Sequence, residues 1–264
     1  MEGINYPKIM GILNVTPDSF YDGGMHYTSE KAITQAYNLI MQGADIIDVG
    51  GESTRPGFKP VSAEEEINRI CPVIEKIAKE GIPISVDTVK PKTAQAALEM
   101  GVTIINDVSG KSAETGMMEL AERANCKIIF THNSRESEDD INKNIITEIT
   151  DYFQEISTQA IKKGIKKENI ILDPGIGFGK KFDDNYKILN NVSKFKECGY
   201  PVLIGLSRKS MIGNLFNEEE DRLPATLALN SAAFLAGVDI IRVHDVKAHK
   251  MAFKALAKMI SRDK

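Results

Sequence analysis

Tryptophan is absent from this chain, cysteine appears three times, and aromatic residues make up 6% of its 264 positions. Cys71, Cys126 and Cys198 are odd in number and far apart, with no Cys-x-x-Cys pair. That spacing suggests neither a disulfide framework nor a zinc site, and leaves the three as packing residues. Excess charge is also small: the formal net charge is -4. Such a balance offers no footprint for nucleic acid or an anionic membrane, so an anionic substrate has to be held by local cations. No run of eighteen apolar residues occurs, and Met1 to Pro7 lack the basic and apolar regions of a signal peptide. The expectation is a cytoplasmic globular protein that neither crosses nor coats a membrane.

What the chain does have is a repeated phrase, an apolar run ending in a polar or charged group. It occurs as Ile46-Ile47-Asp48, Ile84-Ser85-Val86-Asp87, Ile104-Ile105-Asn106-Asp107, Ile170-Ile171-Leu172-Asp173 and Ile240-Ile241-Arg242-Val243-His244. Short, nearly continuous apolar runs read as strands buried on both faces of a parallel sheet. Eight candidates follow: Lys8 to Leu13, Asp45 to Val49, Ile82 to Asp87, Thr103 to Asp107, Lys127 to Thr131, Asn169 to Asp173, Pro201 to Gly205 and Asp239 to Val243. Between them lie amphipathic stripes such as Ala32, Ile33, Ala36, Tyr37, Leu39, Ile40 and Ile67, Ile70, Cys71, Ile74, Ile77, Ala78. Gly43, Gly81, Gly101, Gly164, Gly199 and Gly237 sit where each helix would end in a left-handed cap. The predicted fold is α/β, a single (β/α)8 TIM barrel spanning residues 1–264, with its active site at the C-terminal ends of the strands. No linker or low-complexity tract divides it. The stretches 14–28, 52–61 and 134–144 read as long loops on the catalytic rim.

The polar residues of that rim each admit a bland reading. Asn14, Asp18, Asp22 and Gly23-Gly24 suit a mobile loop with oxygen ligands for a hard metal such as magnesium, but equally a turn with Asx caps. Thr54, Arg55 and Pro56 suit an anion or an aromatic ring, or a plain surface loop. Asp87, Asn106, Asp107 and Asp173 individually could be helix N-caps, yet their repetition at equivalent strand ends points to a ligand rich in donors and acceptors. Asp173 to Lys180 alternates glycine but fits neither Gly-x-Gly-x-x-Gly nor the phosphate-loop spacing, so its glycines are read as letting backbone approach a flat ligand beside Phe178. Ser207-Arg208-Lys209-Ser210 and Arg242-Val243-His244 put three cations and an imidazole on adjacent loops, where barrels often hold phosphate. Lys180 is expected to matter less than Lys209.

Together, these segments closely resemble the dihydropteroate synthase family. The likeness spans nearly the whole chain through Gly11-Ile-Leu-Asn-Val-Thr-Pro-Asp-Ser-Phe20, Asp48-Val-Gly-Gly-Glu-Ser-Thr-Arg-Pro-Gly57, Ser85-Val-Asp-Thr88, Ile105-Asn-Asp-Val108, Asp173-Pro-Gly-Ile-Gly-Phe-Gly-Lys180, Ser207-Arg-Lys209 and Arg242-Val-His-Asp245. The resemblance implies a barrel, usually dimeric, that joins 6-hydroxymethyl-7,8-dihydropterin pyrophosphate to 4-aminobenzoate with release of pyrophosphate and with Mg2+ as cofactor. It implies catalytic roles for Asp87, Asp173, Lys209, Arg242 and His244. The pterin would meet Asp87, Asn106, Asp173, Gly205, Lys209 and Arg242, and the aminobenzoate Phe20, Thr54, Arg55, Pro56, Phe178, Lys209 and Ser210. Pyrophosphate would rest on Asn14, Arg242 and His244, and magnesium on Asn14 and Asp22. Sulfonamides would compete with aminobenzoate.

Three positions depart from the family pattern: Thr131 stands where a methionine is usual, Tyr21 replaces a serine, and Leu223-Pro224-Ala225-Thr226 replaces a glycine-rich helix start. Two other functions remain to be weighed. A pterin-dependent methyltransferase shares the barrel but has no pyrophosphate for Ser207-Arg208-Lys209 to hold, and a non-catalytic pterin-binding protein would bind without turnover.

Overall fold

Period-two alternation along each strand decides the architecture. The computed structural model describes residues 6–16, 25–52, 59–134, 144–216 and 221–261. Its strands are β1 (Lys8–Asn14), β2 (Ile46–Gly50), β3 (Ile84–Asp87), β4 (Ile104–Asp107), β5 (Lys127–Thr131), β6 (Ile170–Asp173), β7 (Leu203–Ile204) and β8 (Ile240–Val243). All are parallel neighbours in the order β6-β5-β4-β3-β2-β1-β8-β7. A parallel bridge between Leu172 and Val202 brings β6 back to the chain entering β7 and closes the ring. This is the predicted TIM barrel.

The expected strands are all present, most of them a residue or two shorter at the start. The largest change is at the seam, where Pro201 to Gly205 contracts to two residues. Pro201 has no N–H for a ladder, and its carbonyl instead accepts from Leu172 N at 2.9 Å. The long loop expected over 14–28 is cut short because a helix starts at Met25 (Met25–Met41).

Successive strand residues belong to two separate cores. Ile9, Ile47, Ile105, Ile128, Ile170, Ile204 and Ile241 pack outward against the helices. Their neighbours Met10, Ile46, Ile104, Ile129, Ile171, Leu203 and Ile240 form a second cluster inside the barrel. The inner layer is a dry floor. Two residues further along each strand the side chain faces the same way, so the layer above the floor is Ile12, Asp48, Asn106, Thr131, Asp173, Gly205 and Arg242, joined by Asp87 above Ser85 on β3. One more step gives Asn14, Ser207 and His244 at the mouth. A polar site on an apolar floor is therefore written into the alternation.

The helices follow local rules. Ser62 caps Ala63–Ile77, its hydroxyl accepting from Glu65 N at 3.1 Å, and Asn144 caps Ile145–Lys162, accepting from Ile146 N at 2.9 Å. Pro224 sits in the first turn of Leu223–Leu235, where its missing N–H costs nothing. All six predicted cap glycines have positive φ. Cys71 and Cys126 are buried, Cys198 is half-buried, and none is in a disulfide.

Candidate active site

Arg242, from β8, lies at the centre of the polar layer. Its Nε donates to Asp48 Oδ2 at 2.6 Å and its Nη2 to Asp87 Oδ2 at 2.5 Å. Asn106 Nδ2 donates to the same Asp48 oxygen at 3.0 Å. Barrel closure thus joins β2, β3, β4 and β8 through one guanidinium whose plane is set by two carboxylates. Asp48, 1% exposed, is the residue that the strand-end reading passed over when it assigned roles. Stepping two positions on from the floor residue Ile46 would have found it.

The opposite wall is built on a tight turn. Asp173 Oδ1 accepts from Gly175 N at 2.7 Å. A Cβ on Gly175 would lie 1.9 Å from the His132 carbonyl oxygen, so only glycine lets this loop rest on the end of β5. Lys209 reaches across the loop, donating to the Ile176 carbonyl, with its ammonium 4.6 Å from the centre of the Phe178 ring. At the mouth, Ser207 Oγ lies 3.0 Å from His244 Nδ1. Gly205 leaves ordinary van der Waals room beside the Arg242 stem. Asn14 stands half-buried at the end of β1, and Ser210 is exposed at the start of the short helix Ser210–Gly213.

Electrostatics favour a ligand that brings donors and positive charge. Burial pushes the Asp87 carboxyl up to about 7, with Arg242 opposing and Asp48 and Glu66 reinforcing. Burial also raises Asp173, against the pull of Lys209. For Arg242 the cost of burial is outweighed by Asp48 and Asp87, which hold its proton more firmly than usual. Three carboxylates, Asp48, Asp87 and Asp173, therefore face two cations, Arg242 and Lys209. Several buried polar atoms in and beneath this layer, Asp48 Oδ1, Ser85 Oγ, Asn106 Oδ1 and Thr131 Oγ1, have no hydrogen-bond partner among the described residues. Buried groups of this kind require partners, and a heterocycle carrying several N–H and ring-nitrogen groups would supply them.

Not every polar residue of the rim points inward. Asp107 caps its own turn, its two oxygens accepting from Ser109 N at 2.9 Å and from Ser112 Oγ at 2.6 Å. Arg208, read with Lys209 and Arg242 as a phosphate cation, turns out to solvent at φ 58° and forks onto Asp245 at 3.0 and 2.6 Å. Lys180 is half-buried, donating to the carbonyls of His132 at 2.8 Å and Phe178 at 3.1 Å, and so braces the wall. Phe20, Asp22, Thr54, Arg55 and Pro56 lie outside the described residues. The base of the loop carrying the last three is clamped: Glu52 Oε2 accepts from Val61 N at 2.7 Å and from Lys90 Nζ at 2.8 Å, and Lys90 also reaches Glu66 at 3.0 Å. Sequence reasoning did not see this clamp, since Lys90 lies 38 positions from Glu52 and 24 from Glu66.

The profile of the family described as pterin binding enzyme matches residues 10–244. The chain belongs to the pterin-binding enzyme family. Within it, a dihydropteroate synthase of Clostridium beijerinckii is 45% identical over 249 residues, covering 93% of this chain and 91% of that protein. A crystal structure of a Clostridium difficile dihydropteroate synthase in the presence of pteroic acid is 42% identical, with a TM-score of 0.91 over 99% of this chain and 100% of that one. The Xanthomonas albilineans dihydropteroate synthase with 4-aminobenzoic acid is 38% identical, with a TM-score of 0.90 over 98% and 95% of the two chains. Pterin-binding enzymes of this kind thus share the whole barrel described above.

Proposed function

We propose that this protein is a dihydropteroate synthase, a transferase of folate biosynthesis that condenses 6-hydroxymethyl-7,8-dihydropterin pyrophosphate with 4-aminobenzoate to give 7,8-dihydropteroate and pyrophosphate. The observation that carries this reading is the polar layer over the apolar floor. Asp87, Asn106 and Asp173 offer the buried acceptors that the N–H edge of a pterin requires, and Arg242 and Lys209 are the cations near enough to act on both carboxylates. The excess of carboxylate over cation suits a ring that becomes positive as pyrophosphate departs. Arg242 and His244, with Asn14 at the same mouth, meet the growing negative charge on the leaving group. The arylamine then attacks the exocyclic carbon. Phe178, Lys209 and Ser210, with Phe20, Thr54, Arg55 and Pro56 from the two loops, receive the aminobenzoate. Sulfonamides, which carry the same aniline group, compete for that place.

Among the described residues no group of three or more His, Cys, Asp or Glu side chains can hold a metal ion. Asn14 offers one neutral oxygen. The oxygen donors Asn14 and Asp22 are of the kind a hard cation takes, and they would hold Mg2+. The ion would neutralise charge on the leaving group.

The protein acts as a homodimer in the cytoplasm and takes neither nucleic acid nor membrane as a partner. Helix Leu223–Leu235 carries no charged residue and exposes Pro224, Ala228, Ala232 and Leu235, unlike an ordinary surface helix. With Val246–Ile260 it leaves Leu235, Met251 and Met259 exposed, a face suited to a second copy. No described helix is long and apolar enough to cross a membrane.

The test is pyrophosphate release by purified protein and magnesium, with the pterin substrate present and aminobenzoate either added or withheld. Aminobenzoate-dependent release with formation of dihydropteroate supports the synthase. Tight pterin binding without release refutes it.

A further inference from the structure

Ser207 and His244 occupy equivalent places, four residues beyond the floor residues Leu203 and Ile240 of the paired strands β7 and β8. Both lie just past the ends of their strands, and their side chains meet there. Ser207 is buried at 6% exposure. Its Oγ accepts the backbone N–H of His244 at 3.3 Å and lies 3.0 Å from Nδ1 of the same residue. A hydroxyl carries one proton. If Nδ1 carried the ring hydrogen, Oγ would receive two N–H groups while its own buried O–H faced no acceptor among the described residues. If the O–H donates to Nδ1, every group in the pair is satisfied. The second arrangement forces the hydrogen of the neutral imidazole onto Nε2.

We propose that Ser207 is a positioning residue that holds His244 in the Nε2–H tautomer, so that the imidazole meets the departing pyrophosphate as a hydrogen-bond donor. The inference rests on the synthase reading for its last clause only. The tautomer itself follows from the Ser207 contacts, both of which go to His244. Its effect resembles that of the outer partner of a functional histidine elsewhere, where the bond made by one ring nitrogen decides what the other can do.

The four histidines make the test direct. In the full-length protein labelled with 15N-histidine, at about pH 8.5 where imidazoles are neutral, ring 15N spectra separate the tautomers, and the His244→Gln spectrum identifies the signals. The expected result is an Nε2–H pattern, with the Nδ1 resonance displaced by a hydrogen bond that Ser207→Ala removes and Ser207→Thr retains. Turnover in Ser207→Ala is expected to fall about tenfold, as loss of one orienting hydrogen bond implies. KM for aminobenzoate should hold, and Ser207→Thr should recover kcat. An Nδ1–H pattern in the wild type overturns the proposal. So does a Ser207→Ala protein with the wild-type Nδ1 resonance, even if it is less stable, because a purely structural serine would behave in that way. The expected tautomer in a protein that releases no pyrophosphate upholds the Ser207 assignment and sinks the synthase reading instead.

Discussion

Replacing Asp48 by asparagine tests the centre of the site with almost no change in shape. Asp48 Oδ2 receives two donors, Arg242 Nε at 2.6 Å and Asn106 Nδ2 at 3.0 Å. An amide oxygen in that place still accepts from both donors, but the Arg242 contact no longer joins opposite charges and the new NH2 is buried where Oδ1 has no partner among the described residues, so the equivalent of about one charge-assisted hydrogen bond is lost, worth roughly 1.5 to 3 kcal/mol. Arg242 retains Asp87, so the larger cost of a fully unpaired buried charge, about 3 to 5 kcal/mol, is not reached. A loss near 2 kcal/mol in a chain of this size lowers Tm by roughly 4 to 8 °C. A second effect has a definite sign. The Asp48 charge helps to raise Asp87, so Asp48→Asn lowers the Asp87 pKa. In the wild type, kcat/KM for the pterin substrate should decline as pH falls through about 7 and Asp87 takes up a proton; in Asp48→Asn that decline moves to lower pH. Calorimetry and a pH series of initial rates measure both. A Tm within about 1 °C of wild type together with an unmoved acid limb would refute the account of Arg242 as a residue held by two carboxylates.

Further predictions concern the walls and the charge. Asp87 holds a proton in the folded state that an unfolded aspartate releases near 3.9, so this group makes stability fall as pH rises from about 4 to 7; Asp87→Asn should flatten that part of the Tm-against-pH curve while abolishing turnover. Gly175→Ala places a Cβ 1.9 Å from the His132 carbonyl oxygen at a φ of +68° and should cost at least about 3 kcal/mol by urea denaturation; a stable, active variant would mean the loop is placed wrongly. Lys209→Met should lower kcat/KM about 100-fold with little change in stability, whereas Lys180→Met should cost about 1 to 3 kcal/mol of stability for its two carbonyl contacts and keep most activity. The reverse pattern would exchange the roles given to the two lysines. Thr131→Val removes a buried hydroxyl with no described partner, so stability should hold or rise while KM for the pterin substrate increases several-fold; an unchanged KM would show that the hydroxyl does not meet the ring.

The eight strands, their parallel arrangement and the rim that carries the chemistry were legible in the sequence, because each strand is a short apolar run closed by a polar or charged residue, and a run buried on both faces is a local pattern. Period-two alternation, continued two and four residues past the floor, reaches Asp48, Asn106, Thr131, Asp173, Arg242, Ser207 and His244. Tertiary structure alone decided which polar residues act together. Arg208 and Lys209 are adjacent, but a left-handed residue sends the first to solvent and leaves the second across the loop. Arg242 lies 194 residues from Asp48 and 155 from Asp87. Only closure of the barrel, with β8 paired to β1 and β1 to β2, brings them within hydrogen-bond distance. Which carboxylate a buried cation meets depends on the three-dimensional sum of burial and charge, and no local pattern encodes that sum.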